Sequence, residues 1–525
     1  MIRMLVVLLA LSLAAPAGAV VFRWANDLDS ESLDPYQSNT TFPISLKANI
    51  YEPLVRRSRT LGLEPALATR WERTSPTVWR FHLRPGVRFA GGEAFTAADV
   101  VFSVQRVRTQ NSRLATYLNT VSAVRQIDEL TVDFETAQPD PILLESITGW
   151  GIMSRAWCEA HRAEDVARTV SGEENFASRN ANGTGPFMIL SREQDRRTVM
   201  RPNPGWWDTP EHNLTEVRFE VIGNAATRVA ALLSGEVDMI YTVPPQDAAR
   251  LETTPGLRML TGPELRTIYL GMDQWRPELL KSDVKGRNPF RDVRVRRAMA
   301  LAIDEDAIGK RIMRGQAHPT WLMWGPGVNG YDAKLDQRPV VDLVQSRKLL
   351  AEAGYPEGFA VTLDCPNNRY VNDEGICQAV TAMLARVGVR VSLSAQAFAK
   401  FSAETAPPEY RASFYLLGWT PTTYDAHNVL FNLAGTRNGV RGATNIGGYS
   451  NARVDGLGEQ IAVELDPARR LALIGEAARL IQEDVGFIPL HQQQLGWAAR
   501  TGVELVQPAD NTFPLRWVRV AEPIR

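Results

Sequence analysis

The stretch GPELRTIYLGMDQWRPELLKSDVKGRNPFRDVRVRRAMALAID, Gly262 to Asp304, decides how the rest of the chain is read. Within it, Arg266 to Met272 reads as a buried strand, with Ile268 and Leu270 at alternate positions. A polar loop follows, then a helix start at Pro289-Phe290-Arg291-Asp292. Val295, Met299, Ala302 and Ile303 fall on one helical face beyond it. Stretches of similar length, each long enough to fold by itself, lie before and after this strand. The strand therefore marks where the chain leaves one lobe and begins a second. A two-lobed binding protein is expected rather than an enzyme.

Size and composition agree. A chain of 525 residues is too long for one hydrophobic core, so two or three domains are expected. Apolar content of 44% and charged content of 22% are those of an ordinary globular protein. With a formal net charge of −1 and no basic stripe, no nucleic-acid partner is expected. The N-terminus differs from the rest: Arg3, the apolar run Leu5 to Ala15, then Ala17-Gly18-Ala19. This pattern predicts a secretory signal peptide over 1–19, cut after Ala19. The run is too short to span a bilayer comfortably. No cysteine lies near the cut to carry a lipid, and no later stretch reads as a membrane span, so an exported soluble protein is expected. Of the three cysteines, Cys365 and Cys377 are twelve residues apart and Cys158 is remote. In an oxidising compartment the close pair is the better disulfide candidate, with three buried thiols as the alternative.

Val78 to Arg84 alternates Trp79, Phe81 and Leu83 with Arg80, His82 and Arg84, a half-buried strand. Pro85-Gly86 turns it. Thr96 with Asp99 three residues later approximates a capping box for a helix burying Ala97, Val100, Val101 and Val104. Asn111 to Tyr117 is polar and reads as a mobile connection. A helix through Ala226, Val229 and Leu232 stops at Gly235, and Val237 to Ile240 returns as a strand. In the second half Phe359, Val361 and Leu363 form a strand. A loop follows, then a helix through Ile376, Val380 and Leu384 closed by Gly388, then a strand through Val389, Val391 and Leu393. Together these make a βαβ unit. Arg411 to Leu417 is a further strand opening into Gly418-Trp419. A helix through Leu471, Ile474, Ala478 and Ile481 precedes Phe487 to Leu490, a strand that carries the chain back.

Short catalytic motifs are missing. The six histidines form no HExxH or HxH, and no metal site or cofactor is expected. There is no GxSxG elbow, Walker loop or dinucleotide glycine pattern. Paired carboxylates of a glycoside hydrolase could lie far apart in the chain, so a secreted hydrolase stays open as an alternative. Trp419 and Tyr424 are singled out as ligand-stacking candidates. They sit in a loop after a buried strand, where α/β proteins place ligands.

Several blocks together resemble the extracellular solute-binding proteins of the peptide/nickel-binding class (family 5), the substrate receptors of ABC importers. They are Tyr51-Glu52-Pro53-Leu54-Val55, Trp79 to Phe89 continuing to Val100, and Gly183-Thr184-Gly185-Pro186-Phe187. Ala231 to Asp238 and Val295 to Asp304 complete the set. The block from Trp79 to Val100 is the most specific. The resemblance implies an α/β periplasmic binding protein of two hinge-linked lobes. The first lobe would comprise 20–265 plus 490–525 with an inserted subdomain about 58–190, and the second 266–489. It further implies a periplasmic monomer that closes over a small-molecule or peptide ligand and docks on separate permease subunits. In the dipeptide-binding branch an arginine of the strand-to-helix loop clamps the ligand carboxylate. Arg369 matches it, with tying that loop to its own lobe as the other reading. That branch also places an aspartate, the partner of the ligand's amine, shortly after the Gly-Trp pair. Here Thr422 occupies its place, and a neutral hydroxyl supplies no charge pair. Asp425 either substitutes or caps the following helix. A peptide or modified peptide is the expected solute, with a metal chelate, opine or glycan as the alternative.

Overall fold

The strand expected over Arg266–Met272 begins nine residues earlier in the computed structural model, which describes residues 19–168 and 172–521. It runs Leu257–Met272 and pairs antiparallel with Ile488–Arg500. The expected signal peptide falls, Ala19 apart, outside the described residues. These two long strands cross the middle of an eleven-stranded mixed sheet. On one side lie Phe414–Trp419, Phe359–Pro366 and Val389–Gln396. On the other lie Met239–Tyr241, Val21–Asn26, Glu216–Val221, Arg197–Pro202 and Phe187–Glu193. Each side has a parallel pair characteristic of α/β units. Val21–Asn26 runs parallel to Glu216–Val221, and Phe359–Pro366 parallel to Val389–Gln396.

The register of the crossing strands breaks between Pro263 and Thr267, leaving Glu264, Leu265 and Arg266 out of the ladder. The Leu265 N–H instead donates to the carbonyl of Ala509, 2.9 Å away. A bulge bends a strand and sharpens its twist, and here the hydrophobic core also divides. Before the bulge Trp24, Phe219, Trp497 and Phe513 pack together. Beyond it Ile268, Leu270, Val361, Ile376 and Phe414 form a second core.

A separate four-stranded antiparallel sheet is built from Ala68–Ser75, Val78–Leu83, Thr131–Thr136 and Val121–Asp128. Trp79, Phe81 and Leu83 are buried, as their alternation requires. Against them packs the helix Ala97–Val107, opened by the Thr96/Asp99 capping box. Arg106 of this helix is buried against Asp34, with Nη1 2.9 Å from Oδ1, and ties the inserted sheet to the segment before the helix Thr41–Lys47. The segment Asn111 to Tyr117 departs from its reading as a mobile connection. It leads into a 3₁₀ turn, Ala115–Leu118; Leu114 just before the turn and Tyr117 and Leu118 within it fill the core of the inserted part. Polar neighbours masked that apolar spacing. Gly235 ends its helix at φ 80°, the left-handed position that glycine takes at no steric cost. The helix expected through Leu471 is Pro467–Glu483; it buries Ile474, Ala477, Ala478 and Ile481, while Leu471 is 47% exposed.

Candidate ligand-binding site

A cavity of about 190 Å³ lies where several distant parts of the chain converge, Tyr117 and Thr148 of the inserted part among them. One wall is the helix Thr41–Lys47 with the turn after it, through Glu52 to Arg57. A second is the C-terminal tail from Pro508 to Trp517. Facing both is the loop Thr420 to Tyr424, which follows the strand Phe414–Trp419 on the other side of the crossing strands. Two contacts close across the space. The Tyr424 hydroxyl donates to Asp510 Oδ2 at 2.6 Å, and the Arg57 guanidinium lies 3.7 Å from the Tyr424 ring centroid.

Charge lines this cavity unevenly: Lys47, Arg56, Arg57 and Arg516 against Glu52 and Asp510. The guanidinium of Arg56 is held by Glu64 and Asp208, each at 2.7 Å. Arg57 contacts Glu145, and Arg516 Nη2 lies 3.3 Å from Glu64. Burial, then the charge of Arg56, pushes Arg516 down to about 10. Glu52 accepts from the indole N–H groups of Trp207 (2.7 Å) and Trp206 (3.1 Å) and from the Thr184 hydroxyl (3.0 Å). Burial raises its pKa against those hydrogen bonds. Lys47 is 2% exposed, and its ammonium donates to the carbonyl of Asp34 at 2.9 Å. Burial pushes its pKa down to about 8. Asp510 is 7% exposed and accepts from Tyr424, the Thr512 N–H and the Thr512 hydroxyl.

The candidates from sequence fall in different places. Thr422 and Tyr424 are on the wall; Trp419, Arg369 and Asp425 are not. Trp419 is half-buried, with its indole N–H donating to Asn428 at 2.9 Å. Arg369 occupies the loop between Phe359–Pro366 and Asp373–Ala385, which the disulfide Cys365–Cys377 closes at its base. Its guanidinium lies over the rings of Tyr370 (5.6 Å) and Phe398 (5.2 Å), and its buried Nε has no hydrogen-bond acceptor. Arg266 sits over the same Tyr370 ring and donates from Nε to the wall residue Thr420 at 3.2 Å. Burial, then the neighbouring charge of Arg266, lowers the pKa of Arg369.

Asp425 stands two residues before the helix His427–Asn432, whose N-cap position is Ala426. Asp425 is fully buried and accepts from the His427 N–H at 2.8 Å. Arg470 holds both its oxygens, at 2.6 and 2.8 Å, and Asn329 donates to Oδ2 at 2.7 Å. No oxygen is left to meet a solute. Sequence reasoning missed Lys47 and Asp510. Glu52 stood within a quoted block, but nothing marked it as wall. Among the described residues, no group of three or more His, Cys, Asp or Glu is placed to hold a metal ion.

Comparison with known proteins agrees with this architecture. The profile of the bacterial extracellular solute-binding proteins, family 5 (middle region), matches residues 62–440. The glutathione-binding protein GsiB of Pectobacterium atrosepticum is 27% identical over 471 residues, 88% of this chain and 87% of that protein. Two solved structures share the fold. DppA of Helicobacter pylori in complex with the peptide STSA has a TM-score of 0.79 at 23% identity, covering 96% of this chain and 98% of that one. AgaA of A. tumefaciens R10 in complex with agropinic acid has a TM-score of 0.78 at 22% identity, covering 96% and 99%. The chain belongs to family 5 of the bacterial extracellular solute-binding proteins, and is a periplasmic, non-catalytic solute receptor of an ABC importer.

Proposed function

We propose that this receptor captures a small charged solute of peptide type in the cavity between its lobes and delivers it to the permease of its importer. The observation that carries this reading is the cavity wall itself, where segments on both sides of the crossing strands bring charged side chains of both signs to one space, Lys47 and Asp510 among them. Such a wall favours a ligand that carries charges of both signs, as a peptide does. Glutathione, a tripeptide with two carboxylates and one ammonium, is the first compound to test, and the likeness to GsiB supports it. The first lobe is 20–265 plus 490–525 and the second is 266–489. They hinge at the bulge Glu264–Arg266, where ladder and core both divide. Thr422 and Tyr424 contact the solute. Arg369, linked to the wall through Arg266 and Thr420, takes a carboxylate that extends toward the hinge when the lobes close.

A second reading is a non-peptide acid such as an opine, favoured by the hydroxyl of Thr422 where the dipeptide-binding branch carries an aspartate. Native mass spectrometry of gently purified protein, with mass analysis of what it releases, separates the two. Release of short peptides, with micromolar or tighter binding of glutathione by calorimetry, supports the first. Release of a single non-peptide compound, with no heat from glutathione, removes it in favour of the second.

A further inference from the structure

Four of the six charges on the cavity wall are compensated by the protein itself. Arg56 has Glu64 and Asp208, Arg57 has Glu145, and Arg516 has Glu64. Glu52 has Arg56 at 3.9 Å in addition to three neutral donors. The other two differ. Among the described residues, no carboxylate lies within ion-pair distance of Lys47. The Asp34 carboxylate is taken by Arg106, and Lys47 reaches only the Asp34 carbonyl. Likewise no cation pairs with Asp510, whose partners are the Tyr424 hydroxyl and the N–H and hydroxyl of Thr512. Both are more than nine-tenths buried. A buried charge without a counter-charge is costly to keep. Two of opposite sign lining one cavity describe the complement of a zwitterion.

We infer that Lys47 and Asp510 are the two poles of the binding site: Lys47 receives an anionic group of the ligand, and Asp510 its cationic group. This rests on the reading of the cavity as the solute site, and adds that the solute is a zwitterion held in one orientation. It also relocates the amine-selecting carboxylate. With Thr422 neutral and Asp425 consumed by Arg470, Asp510 of the C-terminal tail is the wall carboxylate free of any cation. The hydroxyl of Tyr424, contributed by the facing loop, marks the direction from which an ammonium approaches Asp510, and holds that oxygen until it does.

The experiment uses the mature protein and the variants Lys47→Met and Asp510→Asn, titrated calorimetrically with glutathione and with N-acetylglutathione. Each variant is expected to weaken glutathione at least tenfold. The acetylated compound, lacking the ammonium, should bind the wild type at least tenfold more weakly and be indifferent to Asp510→Asn. Melting of the ligand-free proteins provides an arm that needs no ligand. Removing an uncompensated charge should leave the melting temperature equal to or above that of the wild type, whereas removing a structural partner lowers it. Wild-type affinity in both variants, or a loss of several degrees in both ligand-free proteins, overturns the assignment. If glutathione fails on the wild type while both variants melt at or above it, the peptide reading falls and the two poles stand. If glutathione binds all three proteins equally, the poles fall and the peptide reading stands.

Discussion

Replacing Asp425 by Asn separates a structural carboxylate from a ligand anchor. The substitution keeps the side chain's shape, so it opens no cavity and its effect is electrostatic. Asp425 and Arg470 are 0% and 5% exposed and meet through two charge-assisted hydrogen bonds of 2.6 and 2.8 Å. In the variant one amide oxygen must serve Arg470, Asn329 and the His427 N–H, while the new NH₂ group faces donors. Leaving one partner of a buried pair unmatched costs roughly 3–5 kcal/mol, or between about two and four decades in the unfolding equilibrium. Denaturation followed by tryptophan fluorescence measures the loss. Hydrogen exchange should localise it to the helices Ala452–Val463 and Pro467–Glu483, since Arg470 also donates to the carbonyl of Ile461. Replacing the pair together (Asp425→Leu with Arg470→Met) should recover much of the loss, because no buried charge is then left alone. Solute affinity of the folded fraction should stay within about twofold of wild type, far below the tenfold that 1.4 kcal/mol represents. A stability change under about 0.5 kcal/mol combined with a more than tenfold loss of affinity would refute this reasoning and return Asp425 to the binding site.

Further expectations concern the cavity, the disulfide and the hinge. The Lys47 pKa, about 8 when folded, is about 10.4 in an unfolded chain, so between those values the unfolded state binds the extra proton and stability should rise with pH. The cost of the buried ammonium, on the order of 3 kcal/mol, is fully present below pH 8. It is relieved toward pH 10; of the groups facing it, Glu31 and Asp34 temper it and the like charge of Arg192 adds to it. Stability profiles of wild type and Lys47→Met should therefore diverge below pH 8 and converge above it, and parallel profiles would count against the burial. Affinity for an anion should fall over the same rise in pH in the wild type alone. The Cys365–Cys377 bridge closes a short loop, so Cys365→Ser with Cys377→Ser should lower stability by about 3 kcal/mol in thermal or denaturant unfolding. A Cβ on Gly325 would stand 1.1 Å from Nε2 of the buried Gln492 on the crossing strand. Gly325→Ala should cost about 1–3 kcal/mol and lower the melting temperature; an unchanged melt would mean that Gln492 relocates freely. Cys158 is buried, and its thiol is pushed up to about 12 by burial, so alkylating reagents should label it only on unfolding.

What the sequence determined by itself was local. The alternation of Trp79, Phe81 and Leu83 states a strand because side chains repeat every two residues. Thr96 and Asp99 state a helix start because they satisfy orphan backbone donors within four residues. The βαβ unit from Phe359 to Gln396 and the closeness of Cys365 to Cys377 are likewise short-range patterns. The family's blocks, each contiguous, carried the two-lobed architecture and the receptor role. The site was not legible in that way, because its wall joins residues near 50, 420 and 510, which no local pattern relates. Whether a charge is spent also depends on partners far along the chain. Asp425 reads in sequence as a candidate anchor until Arg470, 45 residues on, claims both its oxygens. Asp510 reads as one acidic residue in a tail until folding leaves it with neutral partners only, one of them Tyr424, 86 residues before it. Sequence fixes which charges exist; tertiary packing decides which remain uncompensated, since burial and counter-charge are both properties of the assembled wall.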